Sequence, residues 1–185
     1  MNMKLFRKLE TAGVFVVFAV ASFLHFLYDL TGGTVLGALF GAVNESTWEH
    51  LKIFAIAYII WALVELVWAK PPFRCFVVAK TLGVYGLISA ITAFFYLYTS
   101  IVGRSYIAVD IAMSLVFTAL AQLFSCFLMR NCEKLKPFFY TSVMFLALLF
   151  SAILCFSYYP PEVFLFKDPI TGGYGVMSCL QCCAW

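Results

Sequence analysis

Both histidines of the chain and several carboxylates fall close together, at the end of one apolar run and the start of the next. The members of this histidine cluster are His25, Asp29, Asn44, Glu45, Glu49, His50 and Lys52. Imidazole nitrogens and carboxylate oxygens are ligands that zinc, iron and manganese take in proteins, and a histidine beside a carboxylate can also move protons. The cluster therefore predicts a chemical site near one end of the molecule.

Roles within this site follow from the side-chain types. An open metal position would activate water, and a carboxylate beside an imidazole would transfer its proton. The predicted catalytic residues are His25, Asp29, Glu49 and His50, and the predicted ligands of a zinc, iron or manganese ion are His25, Glu45, Glu49 and His50. The predicted ligand-binding residues are Asn44, Glu45, Lys52, Asp110 and Asp168.

A structural interpretation of part of the cluster stays open beside the functional one. Ser46 and Glu49 have the spacing of a capping box at the start of a helix. Glu45 and Glu49 would also interact favourably with the positive end of the helix dipole. Capping leaves His25, Asp29 and His50 unexplained.

The composition places the chain in a membrane. Hydrophobic residues make up 64% and charged residues 11% of the chain, and the mean hydropathy is +0.99, whereas soluble domains are about one quarter charged. The net charge is only +3, and the basic residues form short clusters between apolar runs, so we expect no nucleic-acid partner. Residues 1–185 read as a single integral membrane domain in contact with lipid.

Five apolar runs each reach the roughly 20 residues that a helix needs to cross a bilayer. The predicted fold is therefore an all-α bundle of five transmembrane helices. The apolar stretch between the first two runs is too short to cross, which predicts a re-entrant or interfacial segment packed on the bundle. The predicted spans are 11–30, 49–69, 76–100, 105–129 and 138–159, followed by a tail at 160–185.

Basic residues set the expected orientation. Nine of the twelve lysines and arginines flank the spans on one side, and such an excess marks the cytoplasmic face. We expect a multi-pass protein of the cell membrane with a cytoplasmic amino terminus and an extracytoplasmic carboxyl terminus. The histidine cluster then lies on the outer side, where His25 and Asp29 would share one face of the first helix.

Other polar residues extend the expectations. Asp110 lies in the outer half of its span and pairs either with Arg104 or a tyrosine, or joins the site. Glu65 and Lys80 lie towards the cytoplasmic end, where an ion pair or snorkelling explains them.

The end of the chain has two features of its own. Residues 164–175 combine apolar anchors with turn formers and predict an ordered cap, from which Asp168 or Tyr174 would close the site unless the segment only packs at the interface. Cys179, Cys182 and Cys183 form a weak metal or disulfide signal.

Three segments together resemble a known family. HFLYDLTGG, AVNESTWEHLK and YPPEVFLFKDPITGGYG occur in this order, and the chain is similar up to about Gly175 to an uncharacterised bacterial five-span membrane family, labelled only as a domain of unknown function. The resemblance implies the five-helix topology and an association of the three motifs. It implies no reaction, and the last ten residues depart from the usual ending of the family.

Three functions are compatible with these patterns. The first is an enzyme with an outer-leaflet metal or acid-base site that acts on a lipid-like substrate. The second is a binder or transporter of a small molecule or ion, and the third is a structural or assembly protein whose polar cluster ties helix ends together. Apolar centres in spans two to five favour a site open to one side. The substrate and the oligomeric state stay open.

Overall fold

Five helices in the computed structural model, which describes residues 3–176, are long and apolar enough to cross a membrane. The long helices are α1 (Met3–His25), α4 (Thr47–Ala69), α5 (Phe73–Val102), α6 (Ile107–Met129) and α8 (Phe139–Tyr158). The last is preceded by α7 (Cys132–Leu135) and a 3₁₀ turn, and the apolar stretch Cys132–Tyr158 counts as one span. The all-α membrane bundle predicted from the apolar runs is confirmed.

Two short helices, α2 (Leu27–Leu30) and α3 (Val35–Phe40), occupy the connection from α1 to α4. Thr34 caps α3 by accepting a hydrogen bond from the Gly37 amide at 3.2 Å. This is the predicted short segment on the bundle. The structure differs from the sequence prediction in one respect. Helix α1 ends at His25 and Asp29 belongs to α2, so the prediction that these two residues share one face of the first helix is wrong.

Local sequence signals explain both ends of α4. Ser46 caps the helix, and its hydroxyl accepts from the Glu49 amide at 3.4 Å. At the other end Lys70 adopts the left-handed conformation with φ 45°, and Pro71 and Pro72 follow. Proline restricts the residue before it and lacks an amide donor, so the helix ends there.

The long helices run alternately up and down, which gives the bundle two ends. We call the end that holds His25 and Ser46 the histidine end, and the end that holds Lys70 and Arg130 the basic end. Helix α1 packs against α4 and α6, and α5 packs against α4, α6 and α8. The tail after α8 lies at the histidine end, where the Trp48 amide donates to the Leu165 carbonyl at 3.0 Å.

A disulfide joins two elements at the basic end. Cys75 in the first turn of α5 bonds to Cys132 in α7, with 5.3 Å between their Cα atoms. Cys126 and Cys155 are free within the described residues. Cys179, Cys182 and Cys183, which form the weak metal or disulfide signal of the sequence, lie outside the described residues.

Candidate functional site

Three members of the histidine cluster converge at the histidine end. Glu45 lies between the two imidazoles, with its Oε1 3.4 Å from Nε2 of His25 and its Oε2 3.5 Å from Nε2 of His50. The two imidazole rings are 5.2 Å apart between centroids. One candidate ligand atom from each residue lies within 4.8 Å of the others, so these three side chains could hold one metal ion. We call them the metal triad.

The loop before α4 places Glu45 in the metal triad. The amide of Ala42 donates to the Leu24 carbonyl at 3.3 Å, which fixes the loop to the end of α1. The amide of Val43 donates to the Glu49 carboxylate at 3.0 Å, which fixes it to the first turn of α4. Glu45 is therefore positioned by hydrogen bonds of its neighbours, and its own carboxylate faces the histidines.

The hydrogen bond of His50 decides which of its nitrogens carries a proton. Nδ1 lies 2.9 Å from the carbonyl oxygen of Ser46, one turn earlier on the helix. A carbonyl oxygen only accepts, so Nδ1 is the donor. In the neutral ring the lone pair of Nε2 then faces Glu45, which is the arrangement in which a backbone carbonyl orients a metal-binding histidine.

His25 is held by packing. Its ring packs edge-on against Phe26, with 4.9 Å between centroids, and it lies beside His50. Its Nδ1 is buried and makes no hydrogen bond in the part of the chain that the structure describes. Nε2 of His25 faces Glu45 and is available to a ligand.

The separations within the metal triad can be compared with hydrogen bonds and with metal coordination. Nitrogen-to-oxygen hydrogen bonds span about 2.7–3.2 Å, and the two separations of 3.4 and 3.5 Å exceed this range. Around a tetrahedral zinc with bonds of about 2.0–2.1 Å, neighbouring ligand atoms are about 3.3–3.4 Å apart. The two separations are therefore compatible with a shared metal ion, for which one ligand atom from each residue lies within 4.8 Å of the others.

A pocket of about 730 Å³ opens beside the metal triad. Its volume falls within the roughly 300–1,000 Å³ typical of small-molecule sites. His25, Glu45 and His50 lie on one part of its wall and Asp110 on another. Most of the remaining wall is apolar. The apolar wall residues include Phe18, Ile53, Phe54, Ile91, Phe94, Phe95, Met113 and Phe117.

The pocket also has an apolar rim that is accessible from outside the bundle. Phe26 is 58% exposed, Ile107 78% and Ile170 77%, and all three line the pocket. In a membrane these side chains would contact acyl chains instead of water. The rim is therefore compatible with entry from the lipid.

Asp110 satisfies both interpretations made from the sequence. Its Oδ1 accepts a hydrogen bond of 2.5 Å from the hydroxyl of Tyr98 on α5, and its side chain lines the pocket. Tyr98 in turn accepts from the amide of Tyr106 at 3.1 Å. Arg104 donates to the hydroxyl of Tyr106 and covers its ring. Asp110 thus has a tyrosine partner and belongs to the pocket wall.

The tail covers part of the pocket through a turn that Asp168 organises. The Asp168 carboxylate accepts from the Ile170 amide at 3.0 Å, the Thr171 amide at 3.3 Å and the Thr171 hydroxyl at 2.6 Å. Pro169 and Ile170 at the tip of this turn line the pocket. An ordered tail at this end was expected, and its apolar tip, in place of the Asp168 carboxylate, faces the pocket.

Aromatic packing holds this tail against the bundle. Trp48 of α4 packs on Phe166 with 5.1 Å between centroids and on Phe156 with 5.4 Å. Phe164 packs edge-on against Tyr96 of α5 at 5.0 Å. Phe166 also packs edge-on against Phe156 of α8 at 5.1 Å, so the tail contacts α4, α5 and α8 at the histidine end.

The other expected site residues lie outside the metal triad. Asp29 is exposed on α2 and is not part of the pocket wall. Asn44 accepts from the Ser46 amide at 3.0 Å and so orders the turn before α4. Glu49 pairs with Lys52 at 2.6 Å, and both side chains are buried. Asn44 and Glu49 thus shape the loop that carries Glu45, and none of these residues belongs to the group that could hold the ion.

Sequence reasoning missed the apolar wall of the pocket. Phe18, Phe117 and Ile170 come from three distant segments, and their residue types are those of any transmembrane helix or interfacial tail. Only the turn signal around Asp168 pointed to the tail contribution. The wall depends on which helices are neighbours, and hydrophobicity alone does not specify that.

The chain was compared with models of protein families. The model of a family described as a family of unknown function (DUF6512) matches residues 1–176. No curated protein and no solved structure matches the chain.

Proposed function

The chain belongs to the DUF6512 family of unknown function, and we propose that it is a metal-dependent hydrolase whose substrate is a lipid-like ester. In this proposal His25, Glu45 and His50 hold one divalent ion, zinc in the first place and iron or manganese as alternatives. The pocket beside them takes the apolar part of the substrate. The histidine end faces the outer leaflet of the cell membrane.

One observation carries the metal proposal. The bond from His50 Nδ1 to the Ser46 carbonyl leaves the lone pair of Nε2 facing a carboxylate oxygen 3.5 Å away. Two lone pairs repel each other unless a cation lies between them. A divalent ion bound between Nε2 of His50 and the Glu45 carboxylate would supply that positive charge.

Two imidazoles and one carboxylate suit a catalytic ion. This donor set is one of those that hold catalytic zinc and leave a fourth position for water. An ion bound there would lower the pKa of its water to about 7 and so supply a nucleophile at neutral pH. His50 is oriented by Ser46, and Glu45 is oriented by the loop that Val43 and Glu49 fix.

The pocket indicates the substrate class. Its wall is mostly apolar, and its rim carries the exposed side chains of Phe26, Ile107 and Ile170. An acyl chain that enters from the lipid would remain in an apolar environment along this wall. Asp110 is the acidic group on the wall away from the metal triad, and it would contact a hydroxyl or amine of the substrate.

Metal analysis tests the first half of the proposal. The full chain, purified in detergent and incubated with zinc sulfate, should retain about one zinc per chain after removal of free metal. His25→Ala, His50→Ala and Glu45→Gln should each lose it. Asp29→Asn is the matched control, because Asp29 is near in sequence and outside the triad, and it should retain zinc. Equal zinc contents in the wild type and all three triad variants would overturn the metal site.

Hydrolysis of 4-nitrophenyl decanoate tests the second half. The zinc-loaded chain should release nitrophenol, and His50→Ala should lower the rate about a hundredfold or more. 4-Nitrophenyl acetate serves as the short-chain control and should be hydrolysed less efficiently because it leaves the apolar pocket empty. Retention of zinc without hydrolysis of either ester would reject the enzyme and leave the metal site standing.

A lipid binder without catalysis is the second candidate. It is favoured by the tail, because Pro169 and Ile170 cover part of an apolar pocket and would retain a bound chain. The two candidates differ in turnover. A binder would extract decanoic acid or its ester from detergent and return it unchanged.

A further inference from the structure

A second group of buried polar side chains lies towards the basic end, away from the metal triad. Lys80 of α5 is at its centre. Its Nζ lies 2.5 Å from Glu65 Oε2, 3.0 Å from Glu10 Oε2 and 3.0 Å from Gln122 Oε1. Ser125 of α6 donates to the other oxygen of Glu10 at 2.6 Å. We call this the lysine cluster, and it joins α1, α4, α5 and α6.

The lysine cluster is closed to solvent. Glu10 is 2% exposed, Glu65 0%, Lys80 6% and Gln122 1%. The residues lie about 6–10 Å inward from the helix ends at the basic end, given a rise of about 1.5 Å per residue. Charged groups at that depth are held in a medium of low dielectric constant, where an unbalanced charge costs several kcal/mol.

The charges of the lysine cluster do not balance when all groups are ionised. Two buried carboxylates, those of Glu10 and Glu65, meet one buried ammonium, that of Lys80. The facing side chains Tyr58, Gln122 and Ser125 are neutral at pH 7. Arg7 and Lys8 on the same helix as Glu10 are exposed. The cluster therefore carries one negative charge in excess unless it binds one more positive charge.

Buried polar atoms without a hydrogen bond within residues 3–176 occur on two helices of the lysine cluster, α4 and α6. Gln122 Nε2 and the hydroxyl of Tyr58 are buried and make no hydrogen bond of normal geometry among the described residues. Glu65 Oε1 is in the same state. A protonated carboxyl group would donate to an oxygen such as the Tyr58 hydroxyl, whereas Gln122 Nε2 is a donor that an oxygen acceptor would satisfy.

A proton is the ligand that would balance the excess negative charge of the cluster. Metal cations need several oxygen ligands, whereas both oxygens of Glu10 already accept hydrogen bonds from Ser125 and Lys80, and Gln122 Oε1 accepts from Lys80. Glu65 Oε1 is the carboxylate oxygen left over. One oxygen suffices for a proton and does not suffice for a metal.

We propose that the lysine cluster is a buried proton-binding site that holds one exchangeable proton on Glu65, balanced against Glu10 through Lys80. When Glu10 and Lys80 are ionised, the proton on Glu65 brings the net charge of the site to zero. The edge-on pair of Phe6 and Phe76, 6.3 Å between centroids, lies one turn closer to the basic end and restricts exchange with water there. This site is independent of the metal triad.

Infrared spectroscopy of the full chain in detergent at neutral pH tests the proposal directly. A protonated carboxyl absorbs at a higher frequency than a carboxylate, so the wild type minus Glu65→Gln should show one carboxylic acid band. Glu10→Gln should also abolish that band, because one carboxylate then balances Lys80 and Glu65 ionises. Glu162→Gln is the matched control in the exposed part of the tail and should keep the band.

Each other result overturns the proposal. Absence of the band in the wild type means that Glu65 holds no proton. Loss of the band in Glu65→Gln together with its retention in Glu10→Gln means that burial of Glu65 alone holds the proton, without the balance through Lys80. A further measurement needs no variant, since transfer of the wild type to heavy water should shift the band as deuterium replaces the proton. A band that stays unshifted would show that the proton does not exchange.

Discussion

Glu49 and Lys52 form an ion pair of 2.6 Å on the first turns of α4, and both side chains are shielded, with exposures of 1% and 0%. Lys52 also donates to the Ala38 carbonyl of α3 at 2.8 Å and to the Ser157 hydroxyl of α8 at 3.1 Å. The pair therefore ties α3 and α8 to α4 directly behind the loop that carries Glu45. We infer that the pair positions the loop of the candidate site, whereas the sequence predicted that Glu49 and Lys52 would take part in the chemistry or in ligand binding.

Replacement of Lys52 by methionine should destabilise the protein by about 3–5 kcal/mol, because it leaves the buried Glu49 carboxylate without its cation. The measurement is the free energy of unfolding in detergent. Lys167→Met is the control, since Lys167 is exposed in the tail, and it should change stability by less than about 0.5 kcal/mol. Equal stabilities of the two variants would contradict the role given to the pair.

Asp168→Ala should loosen the turn that covers the pocket, because three hydrogen bonds to its carboxylate are lost. At about 0.5–1.5 kcal/mol per bond, exchange of the backbone amides at Ile170 and Thr171 should accelerate at least tenfold in hydrogen-exchange mass spectrometry. Asp168→Asn retains an acceptor oxygen and should restore part of the protection. Zinc binding should be unaffected, since the turn contributes no ligand to the metal triad.

Gly13→Ala should separate α1 from α4 and α6. A methyl group at this position would overlap the indole of Trp61 and the side-chain amide of Gln122, and overpacking of this kind costs about 1–3 kcal/mol. Gly86→Ala is the matched control on α5, where a methyl group meets nothing within 4 Å. The control should be neutral or stabilising by up to about 1 kcal/mol, because alanine favours the helix. A melting temperature lowered equally in both variants would argue against a tight contact at Gly13.

The orientation proposed for the histidine end can be tested with epitope tags. Five spans place the two termini on opposite faces, and the excess of basic residues at the basic end favours a cytoplasmic amino terminus. In intact cells an antibody should reach a carboxyl-terminal tag, and an amino-terminal tag only after permeabilisation. The reverse labelling would place the metal triad in the cytoplasm. It would also place the disulfide between Cys75 and Cys132 on the oxidising side, where structural disulfides persist.

Much of the fold was predictable, and for a definite reason. A helix must contain about 20 apolar residues to cross a bilayer, so the runs of this chain specify the number of spans with little interference from packing. The cap of α4 was equally local, since Ser46 and the glutamate three residues later act within one turn. The short segment before α4 followed from its length alone.

The candidate site was only partly predictable. The sequence predicted His25, Glu45 and His50 as metal ligands, and the fold places these three side chains together. Asp29 and Glu49 had the same residue types and the same neighbourhood in the sequence. They lie elsewhere because α1 ends at His25 and because Lys52 captures Glu49 at 2.6 Å. A local sequence pattern does not show where a helix ends within an apolar run. It also does not show whether a carboxylate pairs with a lysine or faces a histidine.

The sequence by itself determined that the chain has five segments long and apolar enough to cross a membrane, and that both histidines lie at adjacent ends of the first two. The tertiary structure alone decided that Glu45 contacts both imidazoles, that the tip of the tail joins the pocket wall, and that Glu10 meets Lys80 across 70 positions of the chain. Bilayer crossing depends on the free energy of transfer summed along consecutive residues, which can be read in order. Contacts between distant residues depend on which helices become neighbours, and many arrangements of five apolar helices satisfy the same hydrophobicity.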